Sequence, residues 1–194
     1  MDSWEKVCFD KIADIKSNLV DPKNYPDVPH IAPDNIEKKS GKLLTYHTVL
    51  EDKIKSSKHK FFAGQILYSK IRPYLSKVVL INFDGLCSAD MYPISVKNTV
   101  CARYLWHYML SEEFLLQVDK NAGSRSVLPK INQKELSSTK INLPSLDEQK
   151  EIVRVLDSLL DKEQRTKEIA ENILYDIDLM KKSILARAFR GELF

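Results

Sequence analysis

Four histidines, three cysteines and scattered carboxylates are the residues in this chain whose types could support covalent or metal chemistry, and their spacing argues against it. His30, His47, His59 and His107 fall in no metal-ligand spacing with cysteines or acids. Cys8, Cys87 and Cys101 are odd in number, form no CxxC pair and sit among apolar neighbours, so buried free thiols are expected. Gly41-Lys42 lacks the upstream glycine of a phosphate-binding loop, and nothing resembles GxGxxG. Asn24-Tyr25-Pro26 is not the Asn/Asp-Pro-Pro-aromatic signature of a methyltransferase. Glu37-Lys38-Lys39 after Asp27 or Asp34 has the outline of a metal-dependent nuclease, but charged loops produce that spacing by chance. The expectation is a binding protein, with no catalytic residue and no metal.

The chemistry that remains is electrostatic. Residues 1–145 hold 21 Lys/Arg against 16 Asp/Glu, whereas residues 146–194 hold 9 against 11. From Lys53 to Phe83 there are seven basic residues and no acid. A second acid-free stretch, Lys120 to Lys134, carries Lys120, Arg125, Lys130 and Lys134. A positive face on an otherwise balanced domain suits a polyanion, because neutralising phosphates releases counterions; a solvated lysine-rich surface has the same composition. Lys70 and Arg72 stand at a strand end, where Arg72 has the fork to grip guanine or instead to pair with Asp90 or Asp84. Tyr74 follows them, as a contact or as a core or rim aromatic, and Tyr68 reads as core. Ser124, Arg125, Ser126 and Lys130 place donors closely in a loop opened by Gly123, which suits phosphate and groove contacts. Lys38, Lys39, Ser40 and Lys42 lie in a polar loop that either enters a groove or forms a solvated turn.

Two kinds of element must position these groups. Up to about residue 144 the pattern is mixed α/β (α+β). Ile66-Leu67-Tyr68 and Val78-Val79-Leu80-Ile81 read as strands, Asp84-Gly85 as a hairpin-type turn, and Met91 to Val96 as a returning strand. Leu105, Tyr108, Met109, Phe114, Leu115 and Val118 recur at helical spacing, predicting one helix that Gly123 stops. A short helix and strand follow before Pro144. Residues 145–194 differ: no proline or glycine appears until Gly191. Ser145 and Glu148 form a capping-box pattern, and Ile152, Leu156, Leu159, Glu163, Thr166, Ala170, Ile173, Ile177, Met180 and Ile184 recur at alternating intervals of four and three. A helix over 146–187 would run about 60 Å. Its seam needs another helix, which a second copy can supply. A membrane-surface helix would carry a Lys/Arg-rich polar face, and this one is acid-rich. No apolar run approaches the roughly 20 residues of a bilayer span, and the charged start MDSWEKVCFDKIADI lacks a signal-peptide layout, so the expected location is the cytoplasm.

Several separated motifs also converge. Trp4-Glu5-Lys6-Val7, PHIAPDNIEKKSGKLL, ILYSKIRPYLSKVVLINFDGLCSADMYPI, SRSVLPKINQKELSSTKINLPSLDEQKEIV and SILARAFRGELF, in that order, resemble one half of the DNA-specificity subunit of type I restriction-modification systems. The resemblance covers essentially the whole chain. Family members are usually about twice this length, with two target-recognition domains and two long antiparallel helices. The resemblance therefore implies a half-size specificity subunit: a target-recognition domain over 1–144 and a long helix over 145–194 for dimerisation, spacing and docking of partner subunits. It implies double-stranded DNA as ligand and a homodimer reading a bipartite, palindromic site. The partners it implies are methyltransferase (modification) subunits carrying S-adenosylmethionine, and a restriction/translocase subunit. A stand-alone dimeric DNA-binding protein, a metal-dependent nuclease and a purely structural coiled-coil scaffold are the alternatives.

Overall fold

The strand Ile66–Ser69 is buried at every position, because it lies inside a sheet covered on both faces. The computed structural model that shows this describes residues 4–122 and 129–192. Its strands are β1 (Glu5–Cys8), β2 (Ala13–Ile15), β3 (Leu19–Val20), β4 (Pro29–Ile31), β5 (His47–Thr48), β6 (Lys58–Phe61), β7 (Ile66–Ser69), β8 (Val78–Leu80), β9 (Gly85–Cys87), β10 (Met91–Val96) and β11 (Lys140–Leu143). Its helices are α1 (Phe9–Ile12), α2 (Ala102–Leu110), α3 (Glu112–Ala122), α4 (Gln133–Ser137) and α5 (Leu146–Phe189). The expected mixed sheet-and-helix domain followed by a long helix is what the chain forms. Residues through Glu151 pack as one compact unit, and those from Ile152 onward form a second.

Among the described residues, three sheets build the first unit. One is four-stranded and antiparallel, in the order β2-β10-β7-β8. The second is five-stranded, β3-β6-β9-β4-β5, with β4 and β9 parallel. The third pairs β1 with β11 and so ties the start of the chain to the residues just before α5. The two larger sheets share a core. Ile31, Phe61 and Cys87 from the five-stranded sheet meet Leu67, Val79 and Met91 from the four-stranded one, with Ile36 and Ile81 completing the cluster. Burial pushes the Cys87 thiol up to about 12. Cys8 and Cys101, expected to be buried, are only half-buried.

Local expectations divide cleanly. The strands at Ile66 and Met91 and the short helix before β11 form where they read. The Asp84-Gly85 turn does not make a hairpin: β8 joins the four-stranded sheet and β9 the five-stranded one, so the turn is a crossing between sheets. Asp84 instead uses Oδ1 to accept the Ala63 N–H at 2.9 Å. The single helix expected after residue 102 breaks at Ser111, whose ψ of 155° is extended and whose Oγ accepts the Phe114 N–H at 3.3 Å. Its expected stop, Gly123, lies outside the described residues. His30 and His47 share one carboxylate, with Nδ1 atoms 2.9 and 3.2 Å from Asp52 Oδ2 and Oδ1.

The start of α5 follows the capping-box pattern. Ser145 N–H and Oγ both donate to Glu148 Oε2, at 2.9 and 2.7 Å, and Glu148 N–H returns to Ser145 Oγ. The Ser145 hydrogen bonds hold the Glu148 carboxyl below its usual value. Next to it, Gln149 is fully buried and uses its whole amide. Its Oε1 accepts the Cys101 N–H at 2.8 Å, and its Nε2 donates to Thr99 O at 3.1 Å and Pro144 O at 3.0 Å. Cys101 is the N-cap of α2, so one side chain links the first turns of two helices. Gln149→Leu would take these partners from the Cys101 N–H and from the Thr99 and Pro144 carbonyls. It should lower the unfolding free energy by about 2–4 kcal/mol. Urea denaturation measures this, and a loss below about 0.5 kcal/mol would contradict the role given to the amide.

Candidate nucleic-acid interface

Three segments far apart in sequence meet on one surface of the first unit. The Lys39 N–H donates to Leu75 O at 3.1 Å, joining the loop 37–42 to the turn that follows Arg72. The Arg72 N–H donates to Pro129 O at 2.8 Å, and Ile131 N–H to Lys70 O at 2.9 Å, with Ile71 and Lys130 forming a bridge. The structure thus gathers Lys38, Lys39, Ser40 and Lys42 with Lys70, Arg72, Tyr74 and Lys130. Ser124, Arg125 and Ser126 lie outside the described residues.

The backbone here is unusual. Lys39, Arg72 and Ser76 all adopt left-handed conformations, with φ of 58°, 48° and 44°. Such a conformation costs a non-glycine residue roughly 1–2 kcal/mol. In exchange, the chain reverses tightly on both sides of the 3-10 turn Pro73–Leu75. Arg72 and Tyr74 are exposed at that turn. Neither pairing weighed for Arg72 occurs: Asp84 accepts from Ala63, and Asp90 is held by lysines. Among the described residues the Arg72 guanidinium has no hydrogen-bond or ion-pair partner, which leaves its fork open to a ligand.

The lysines divide by environment. Lys70 Nζ donates to Ala89 O at 2.6 Å, lies 3.8 Å from Asp90 Oδ1 and sits over the Tyr92 ring. Lys130 Nζ reaches the same Asp90 oxygen at 3.3 Å. Lys58 counts as surface charge in the sequence, yet it is buried, donating to Ser56 O and Oγ, and burial lowers its pKa. His59 beside it is also buried, and burial, then Lys70, lowers its pKa as well. Tyr68 is core as expected, edge-on to Phe114 at 6.0 Å.

Gly41 fixes the loop. Its φ is 73°, and a Cβ there would stand 2.3 Å from Trp106 Cζ2 and 2.9 Å from Leu110 Cδ1, so the loop is seated against α2 with no room for a side chain. Gly41→Ala should therefore lift Lys38–Lys42 off the helix. We expect at least about a tenfold fall in DNA affinity, with a loss of stability near 1–3 kcal/mol. Unchanged binding by fluorescence anisotropy would remove this loop from the interface.

In α5, Ile152 and Leu156 are half-buried, whereas Leu159, Ala170, Ile173, Ile177, Met180 and Ile184 are exposed in this chain. Tyr175 and Leu179, absent from the expected seam, are exposed on the other side of the helix. Among the described residues no group of three or more His, Cys, Asp or Glu is placed to hold a metal, and no helix is long and apolar enough to cross a membrane.

The class follows from this architecture. It matches the HsdS subunit of Thermoanaerobacter tengcongensis with a TM-score of 0.77 at 21% identity, over 96% of this chain and 49% of that one. A chain from a structure of complex assembly and conformational transition in the type I R-M system matches with a TM-score of 0.81 at 20% identity, over 97% and 50%. The fold is therefore that of the HsdS subunit. The family model for the type I restriction modification DNA specificity domain matches residues 1–174, and the chain belongs to that family. It is 48% identical over 191 residues to the Escherichia coli type I restriction enzyme EcoDI specificity subunit, covering 98% of this chain and 42% of that protein. With the Haemophilus influenzae HindI specificity subunit it shares 26% identity over 183 residues, 89% of this chain and 39% of that protein. The chain thus spans less than half the length of these relatives.

Proposed function

We propose that this chain is a non-catalytic, sequence-specific DNA-binding specificity subunit of a type I restriction-modification complex, working in the cytoplasm on double-stranded DNA. The observation that carries the reading is the meeting of the 37–42 loop, the Arg72 turn and the 129–131 segment on one surface. Their basic and polar side chains are of the types that grip phosphates and base edges. Residues 1–144 act as the reader and α5 as the association element.

In this reading the seam of α5 pairs with the seam of a second copy. The alternating intervals from Ile152 to Ile184 are the same read forward or backward. Antiparallel helices can therefore match Ile152 with Ile184, Leu156 with Met180 and Leu159 with Ile177. A two-fold pair of identical readers addresses a palindromic bipartite site. Tyr175 and Leu179 leave apolar surface on the other side, where methyltransferase subunits dock. Those subunits carry S-adenosylmethionine, and a restriction/translocase subunit joins the assembly they form.

Light scattering on the full chain at several concentrations, followed by selection from a randomised duplex library, tests the reading. The expected result is a species near twice 22.4 kDa that enriches two inverted half-sites and binds with a steep loss of affinity as salt rises. A strict monomer at all concentrations would refute the self-paired helix. Divalent-metal-dependent cleavage by the chain alone would refute the non-catalytic assignment, and absence of any DNA binding would refute the reader.

A further inference from the structure

We propose that Asp90 is a specificity-determining residue that accepts a hydrogen bond from an exocyclic amine of a base, cytosine N4 or adenine N6, in the major groove. The inference rests on the DNA-reading function proposed above.

Asp90 stands where the basic segments meet, in the turn between β9 and β10. Its backbone is held on both sides: its N–H donates to Ser88 Oγ at 3.2 Å, and its carbonyl accepts the Lys70 N–H at 3.0 Å. Its carboxylate is 43% exposed. One oxygen, Oδ1, takes Lys130 Nζ at 3.3 Å and faces Lys70 Nζ at 3.8 Å. Among the described residues the other oxygen, Oδ2, accepts nothing.

A half-exposed carboxylate is out of place on a surface that approaches phosphates, since it repels them. Two lysines on one oxygen offset that charge and fix the plane of the group, leaving the second oxygen as an aimed acceptor. An ionised carboxylate has no proton to donate, so it can select only a donor. The donors that a duplex offers in its major groove are the amines of cytosine and adenine. Asp34, another acid in this region, is fully exposed and bound to Lys77, and it touches neither Lys70 nor Lys130.

The alternative role is a brace, in which Asp90 only positions the two lysines. The two roles predict opposite outcomes for Asp90→Ala. If Asp90 reads a base, the variant loses about tenfold discrimination at one base pair per half-site. Affinity for random-sequence duplex is then unchanged or higher, because a negative charge has gone. If it is a brace, all sequences weaken evenly and the selected sequence is unaltered, which would overturn the proposal.

Base analogues identify the amine. Replacing adenine by purine, or cytosine by 2-pyrimidinone, at the affected pair should cost the wild-type chain as much as Asp90→Ala does. It should cost the variant nothing further, and full additivity of the two losses would also overturn the proposal. If the wild-type chain binds DNA without sequence preference, the specificity function itself fails, a result separate from either outcome at Asp90.

Discussion

Arg72→Gly should separate stability from binding: affinity for target DNA falls about 10- to 100-fold, while the domain unfolds at the same or a higher urea concentration. The reasoning starts from the backbone. Arg72 sits at φ 48°, a conformation glycine adopts freely and arginine only at a cost. Glycine relieves that strain and loosens the unfolded chain, so the two effects on stability nearly cancel or favour the variant by up to about 1 kcal/mol. Nothing else is lost on folding, because the guanidinium has no partner among the described residues. What is lost is the side chain that can make a bidentate contact worth about 1–3 kcal/mol with guanine or a phosphate. Paired urea and anisotropy titrations decide it. A variant that is destabilised by more than about 2 kcal/mol would mean that Arg72 braces the fold.

The second large effect concerns α5. In the proposed self-paired helix, Ile177→Glu should raise the dimer dissociation constant at least 100-fold, about 2.7 kcal/mol, because dimerisation would bury a carboxylate in an apolar seam. The monomer should keep its helix content, since Ile177 is 42% exposed in the single chain and glutamate is a good helix former. Antiparallel pairing places Ile177 against Leu159 of the second copy. Adding Leu159→Lys to Ile177→Glu should then restore much of the dimer through two symmetric Lys–Glu pairs. In a parallel arrangement Ile177 meets itself, and the same double substitution would leave two glutamates opposed and restore nothing. Sedimentation equilibrium on the two variants distinguishes these cases.

What could be read from the sequence was local. Ser145 and Glu148 announced the start of α5 because capping is written in four adjacent residues. Tyr68 read as core because apolar runs mark buried strands. The Ser111 break was also available, since Ser111-Glu112-Glu113 is an N-cap followed by two first-turn acids, but the apolar spacing ran through it. Pairing partners were not readable in the same way. Whether β8 and β9 form a hairpin depends on which sheet each can bury against, and a turn dipeptide carries no record of that. Arg72 gave no sign of its left-handed backbone, because that conformation is imposed by neighbours and not by its own residue type. Gln149 is the one uncharged polar side chain in Asp-Glu-Gln-Lys, and nothing in that run of residues records its burial.

The contacts that assemble the proposed reading surface run from main chain to main chain: Lys39 to Leu75, Arg72 to Pro129, Ile131 to Lys70. Amide groups are common to every residue except for the missing N–H of proline. Side chains at this surface can therefore be exchanged while the joints between its segments persist. On the proposed reading, the groups facing DNA can then change almost as a set of interchangeable type, giving new recognition on an old scaffold by single substitutions. Gly41, which has no room for a side chain, resists such change.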